Sequence, residues 1–197
     1  MAGMRQLVSY MFTSLDGFIA DAEGGLDWVP IDDELMGFAN EYFGTAEGIV
    51  FGRKNYQVFV DYWDRLDPTD PSVPPLEAEF ARIFSGMTRV VVSTTLDQVD
   101  PKAVLIKDEV PRSIEDLKRQ PGGNLLLICG PELRSTLTQH GLVDLHRILV
   151  VPVVLGKGQP LFSDMNEQLR LRLVGTNVFG GGVVMLDYEP ESTPSAD

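Results

Sequence analysis

Short, β-prone apolar runs alternate along the chain with segments whose apolar positions recur at helical spacing. Met4 to Ser14 opens as a strand, and Leu15 to Pro30 follows as a glycine-containing loop. From Ile31 to Phe43, Leu35, Phe38, Ala39 and Tyr42 fall on one helical face. Asp32 and Asp33 stand at its start, where carboxylates complement the helix dipole. Gly48 to Phe51 reads as a buried strand, and Gly52 to Phe59 opens a second helix. Asp61 to Pro75, with four prolines and four aspartates, reads as a surface loop. Leu76 to Phe84 is predicted helical, and Arg89 to Ser93 and Ala103 to Ile106 extended. Ser113 to Arg119 is a helix for which Ser113 is the expected N-cap. Asn124 to Cys129 is a nearly pure apolar strand, and Gly130-Pro131 starts a helix running to Gln139.

This alternation predicts a mostly parallel sheet with helices on both faces. The rhythm changes after Gly141. Asp144 to Leu155 reads as a long strand and Gly156 to Phe162 as a loop; Leu169 to Val178 and Val183 to Tyr188 form a hairpin about the glycine-rich Phe179 to Gly182. The expected fold class is therefore α/β: three layers, α/β/α, around a mixed, mostly parallel sheet with an antiparallel C-terminal hairpin. One domain spans 1–189, and the polar tail 190–197 is expected to fray.

Composition narrows the function. A chain of 197 residues, 44% hydrophobic and 23% charged, suits one soluble domain with a core of its own. Cys129 is the sole cysteine, so no disulfide forms within the chain and a reducing compartment is expected. Met1 to Ser9 lacks a basic segment followed by an apolar run, and no stretch is long enough to span a bilayer, so the expected location is cytoplasmic. A net charge of −13 disfavours nucleic acid and anionic membranes as partners. A phosphorylated ligand then requires a local concentration of positive groups. No His, Cys or carboxylate cluster has metal-ligand spacing, so no metal is expected. Of the two histidines, His146 begins a strand and reads as structural; Cys129 reads as a small buried hydrophobe.

In open α/β sheets, ligands bind beyond the carboxyl ends of the strands. Four strand ends carry suitable groups: Ser14 to Ala20, Gly52 to Tyr56, Ser93-Thr94-Thr95, and Gly130-Pro131-Glu132-Leu133. The second is the clearest. Gly52 lets a ligand approach the backbone, free N–H groups at the helix start favour an anion, and Arg53 and Lys54 add charge. The bland alternative is a solvated basic pair, though the dipole disfavours one there. Ser93, Thr94 and Thr95 equally suit a turn, and many crossovers need a glycine where Gly130 stands. Neither G-x-G-x-x-G nor a P-loop is present.

Taken in order, Ser14-Leu15-Asp16-Gly17-x-Ile19-Ala20, Gly52-Arg53-x-x-Tyr56, Val91-Val92-Ser93, Gly130, Gly141-Leu142-Val143-Asp144 and Pro152-Val153-Val154-Leu155-Gly156-x-Gly158-x-x-Leu161-Phe162 resemble the dihydrofolate-reductase-like superfamily. The closer resemblance is to the branch containing the C-terminal reductase domain of bifunctional riboflavin-biosynthesis proteins, over Arg5 to Asp187. The resemblance implies a mixed eight-stranded sheet, an NADPH site, reductase activity and pairing into a homodimer. It places cofactor phosphates at Gly52, Arg53, Lys54 and Asn55, and the adenosine side at Ser93, Thr94 and Thr95. The pyrophosphate falls at the turn Gly130, Pro131, Glu132 and Leu133, where a Gly-Gly pair is usual and Pro131 removes a backbone donor. Ala20 would meet the nicotinamide through its backbone.

By the same resemblance Asp33, a few residues beyond Trp28, matches a substrate-binding and proton-supplying carboxylate. Helix capping explains an acid at Asp32 or Asp33 equally well. Asp16 is expected to hold its loop through backbone hydrogen bonds. Trp28 and Tyr56, with Phe38 and Trp63, are candidates to line a flat substrate pocket, although core packing explains Phe38 as well. The reaction implied is hydride transfer from NADPH to a pterin- or pyrimidine-like heterocycle or another small conjugated acceptor. Two alternatives are an NADPH-binding module without turnover and a reductase of the 5-amino-6-ribosylaminouracil-phosphate type. The last is disfavoured, because Gly52 to Phe59 stands where those enzymes carry a segment with Asp-Asp-Pro, and no deaminase motif is present.

Overall fold

In a computed structural model residues 4–191 are described. The chain runs β1 (Leu7–Ser14), β2 (Phe18–Ala20), α1 (Asp33–Gly44), β3 (Gly48–Gly52), α2 (Arg53–Trp63), α3 (Pro75–Gly86), β4 (Thr88–Val92) and β5 (Ala103–Ile106). It continues through α4 (Val110–Arg119), β6 (Leu125–Ile128), α5 (Pro131–Gln139), β7 (Leu145–Val151), β8 (Gln159–Pro160), β9 (Leu171–Val178) and β10 (Val184–Pro190). An eight-stranded sheet in the order β5-β4-β3-β6-β1-β7-β10-β9 forms the middle layer, and β2 pairs separately with β8. The six strands from β5 to β7 are parallel; β10 and β9 are antiparallel to their neighbours.

Side-chain alternation across the sheet explains the two cores. On one face Tyr10, Phe51 and Leu149 pack with Phe43 of α1, Tyr56 of α2 and Phe80 and Phe84 of α3. On the other, Leu7, Val50, Leu125 and Leu127 pack with Ile114 of α4 and Leu137 of α5. β6 is buried along its whole length because it has strands on both sides and helices on both faces, hence the unbroken Leu-Leu-Leu-Ile. Asp144, from the Gly-Leu-Val-Asp segment, ties three elements together. Its Oδ2 accepts from the Leu7 N–H at 2.7 Å and from Lys118 Nζ at 2.6 Å, and Lys118 also donates to the Leu142 carbonyl at 2.8 Å.

Several expectations are corrected. α4 begins three residues before Ser113: Glu109, left-handed at φ 43°, is the N-cap, and the Ser113 N–H already donates to the Glu109 carbonyl. Pro111 in the first turn made a helix start look like a loop. The long strand expected to reach Leu155 is paired only to Val151, because Pro152 cannot donate to the ladder. Two segments read as loops contain the short strands β2 and β8. α2 continues to Trp63, inside the segment read as a proline-rich loop. The Phe179–Gly182 turn closes the hairpin as expected, with the Phe179 N–H donating to the Val183 carbonyl at 2.9 Å. The polar tail lies mostly outside the described residues.

Candidate cofactor site

Because β1, β3, β4 and β6 are parallel and adjacent in the sheet, their carboxyl ends bring the four predicted segments to one edge. The ends of β3 and β6 lie side by side. A Cβ built on Gly52 would lie 3.4 Å from Cys129 Cβ and 3.7 Å from the Gly130 nitrogen, and one on Gly130 would meet nothing within 4 Å. Packing therefore does not require either glycine; their bare backbones leave room for a ligand. Each is the N-cap of its helix, and neither α2 nor α5 has a side-chain cap. The first-turn amides of both helices are thus unclaimed by the helix. In α2 these belong to Arg53, Lys54 and Asn55. In α5 they belong to Glu132 and Leu133, since Pro131 has none. Arg53 and Lys54 are exposed and, among the described residues, form no ion pair. A phosphate group fits this donor set.

At the end of β4, Ser93 is buried and its hydroxyl is used inside a turn, accepting from the Thr95 and Leu96 N–H groups at 3.2 and 3.1 Å. Thr94 and Thr95 are exposed beside it. Ala20, at the end of β2, is clamped by the segment after β7. It pairs with Gln159, and a Cβ on Gly158 would fall 2.1 Å from the Ala20 carbonyl oxygen. Asp16 fastens the same two segments: Oδ1 accepts from Ser14 Oγ at 2.7 Å and from the Leu155 N–H at 3.1 Å, and Oδ2 from the Gly156 N–H at 2.7 Å. The Ser14 hydrogen bond first, and the two backbone bonds after it, hold the Asp16 carboxyl below the usual carboxylate value. A lowered folded-state pKa adds stability above the unfolded value that is lost as pH falls through the folded one. Asp16→Asn is therefore expected to destabilise by a constant amount above about pH 5, the gap to wild type narrowing below it; urea unfolding from pH 7 to pH 3 measures this.

Asp32 is the N-cap of α1, its Oδ1 accepting from the Leu35 N–H at 2.9 Å, which leaves Asp33 free of the cap. Asp33 is exposed and, among the described residues, has no side-chain hydrogen bond. The Glu34 carboxylate accepts from the Gly180 N–H at 2.7 Å and joins this helix start to the β9–β10 turn, a contact no sequence signal marked. Trp28 is half-buried and donates through Nε1 to the Gly25 carbonyl. Tyr56 lies in the core with its hydroxyl accepting from the Asp100 N–H at 3.0 Å. Phe38 packs on Tyr42 and Phe179, and Trp63 on Phe80. Every charged side chain from Gln6 to Gly52 is a carboxylate. Cys129 is fully buried, which pushes its thiol pKa up. A cleft of about 450 Å³ lies elsewhere, among Trp63, Asp64, Arg82, Arg89 and Lys102, and of the predicted pocket residues Trp63 alone lines it.

Residues 5–185 match the family model of the RibD C-terminal domain. The chain belongs to this family. It is 33% identical over 184 residues to the protein YyaP of Bacillus subtilis (strain 168), covering 93% of this chain and 94% of that one. A putative riboflavin biosynthesis protein from Shewanella sp. PV-4 superposes with a TM-score of 0.71 at 25% identity, covering 95% of this chain and 99% of that one. Dihydrofolate reductase from Enterococcus faecalis, solved with NADP(H), superposes with a TM-score of 0.63 at 14% identity over 98% of this chain and 100% of that one, and shows the shared fold. The mixed sheet with its antiparallel C-terminal hairpin is thus a dihydrofolate-reductase-like fold.

Proposed function

We propose that this chain is an NADPH-dependent reductase that delivers a hydride to a small flat heterocycle, pterin- or pyrimidine-like, or to another small conjugated acceptor. The observation that carries the proposal is the pair of glycine-capped helix starts, at Gly52 and Gly130, set side by side on adjacent strand ends. The amides of Arg53, Lys54, Asn55, Glu132 and Leu133 would bind the cofactor's phosphates, with the Arg53 and Lys54 side chains adding charge. Thr94 and Thr95 would face the adenosine side, with Ser93 holding their turn. The backbone of Ala20 would position the nicotinamide. NADPH, when bound, supplies the hydride; the protein orients the acceptor and excludes water. Asp33, or a water it orders, would supply the proton, and Trp28 would border the acceptor.

The all-carboxylate stretch from Gln6 to Gly52 bears on the acceptor, because it includes the loop and helix start on that side. It repels a phosphorylated substrate and favours a neutral or cationic one over a 5-amino-6-ribosylaminouracil phosphate.

Fluorescence titration with NADPH tests the site. Arg53→Ala is expected to weaken binding about tenfold, the scale of one charge-assisted hydrogen bond. No binding by wild type, or equal binding by both, would overturn the proposal. Asp33, exposed and without a side-chain hydrogen bond among the described residues, favours a second reading, a binding module without turnover. NADPH binding with no oxidation across pterins, quinones and aldehydes would establish it.

A further inference from the structure

Beneath α5, on the inner side of the Gly130 turn, lies a cluster of buried polar atoms that the proposed reaction does not use. Arg134 is fully buried, 0% exposed. One nitrogen of its guanidinium donates to the Cys129 carbonyl at 2.7 Å; Nε and Nη1 have no partner among the described residues. Three more buried polar atoms nearby are also unpartnered: Thr138 Oγ1, His146 Nε2 and Ser163 Oγ. Thr138 stands one helical turn from Arg134 on the same buried face of α5. His146 lies on β7 within reach of the Arg134 charge, which adds to burial in pushing the imidazole pKa down to about 4. Ser163 is brought in by its N–H, which donates to Ser135 Oγ at 3.0 Å, and by its neighbour Phe162, whose ring meets that of His146 edge-on at 5.6 Å.

The charge balance here is one-sided. Arg134 forms no ion pair among the described residues. The ionisable side chains that bear on it are a neutral imidazole and the Cys129 thiol, whose pKa burial raises, so neither supplies a negative charge. A buried cation needs an opposite charge and full hydrogen bonding. Every unpartnered atom named can donate: Arg134 through Nε and Nη1, the two hydroxyls, and His146 in its Nε2–H tautomer.

We propose that Arg134, Thr138, His146 and Ser163 form an internal site for a small inorganic anion of the halide class, separate from the phosphate-binding edge. The enclosure argues for a monatomic ion over phosphate or sulfate, since Arg134, Thr138 and His146 are each at most 6% exposed.

The test is thermal unfolding of the full chain in sodium chloride or bromide against sodium gluconate at equal ionic strength, with a bromide-soaked crystal read by anomalous scattering. Wild type is expected to melt higher in the halides, with a bromide peak between Arg134 and His146. R134M, which removes the charge but keeps an apolar side chain of similar length, is expected to lose the halide response. T138V is expected to weaken halide affinity about ten- to a hundredfold, the scale of a hydrogen bond to a charged group. Equal melting of wild type in halide and gluconate, a full halide response in R134M, or bromide found only at Gly52 and Gly130 would each overturn the proposal. Should R134M fail to fold, unchanged halide affinity in T138V overturns it alone.

Discussion

Asp144→Ala is expected to lower stability by about 2–4 kcal/mol, below the full cost of breaking a buried ion pair because Asp144 itself is about one-third exposed. The loss has two parts. Lys118, 4% exposed, keeps its charge but loses its one carboxylate partner among the described residues, and the Leu7 N–H at the start of the central strand loses its acceptor. Lys118→Met separates the two, because it removes the buried charge and leaves Asp144 one-third exposed and still bonded to Leu7. Its expected cost is smaller, about 1–3 kcal/mol, since water can reach the carboxylate left behind but the buried Leu142 carbonyl loses its donor. Urea denaturation of both variants measures the difference. Equal losses would mean that the Leu7 contact carries nothing.

Gly158→Ala is the second large effect. Its φ of 158° is one that other residues rarely adopt, and its new Cβ would lie 2.1 Å from the Ala20 carbonyl oxygen, a backbone atom that has no rotamer to yield. Overpacking and backbone strain together are expected to cost about 2–5 kcal/mol. The β2–β8 pair must open, so NADPH affinity is expected to fall with stability if Ala20 positions the nicotinamide. Gly156→Ala is the control. It also has positive φ, 76°, but a Cβ there meets nothing within 4 Å. Its expected cost is backbone strain alone, about 1–2 kcal/mol. Calorimetry and NADPH titration of the pair separate crowding from strain.

How far the sequence revealed the site depended on how local each cause was. The Gly52-Arg53 helix start was legible because a glycine and two cations interrupt an acidic chain just after an apolar run. Asp16 was legible as a loop anchor, but not its partners Leu155 and Gly156, which lie some 140 positions away. The β2–β8 clamp left no trace, since strands of three and two residues carry no periodicity and meet only after the sheet has formed. Asp32 and Asp33 were indistinguishable as letters, and only cap geometry separates them. No sequence signal marks Arg134 as buried. Its burial follows from α5 lying flat on β6 and β1, which is a property of the whole fold.

The strand order also sets when the protein can fold. β1 is made first, yet both its sheet partners, β6 and β7, come after residue 124. While β3, β4 and β5 pair with one another during synthesis, β1 remains an unpaired, largely apolar strand through more than half the chain. Such long-range parallel closure slows folding and prolongs exposure to misassociation. A ribosome-stalled chain ending before Leu125 is therefore expected to engage chaperones at β1, and to release them once β6 and β7 have emerged.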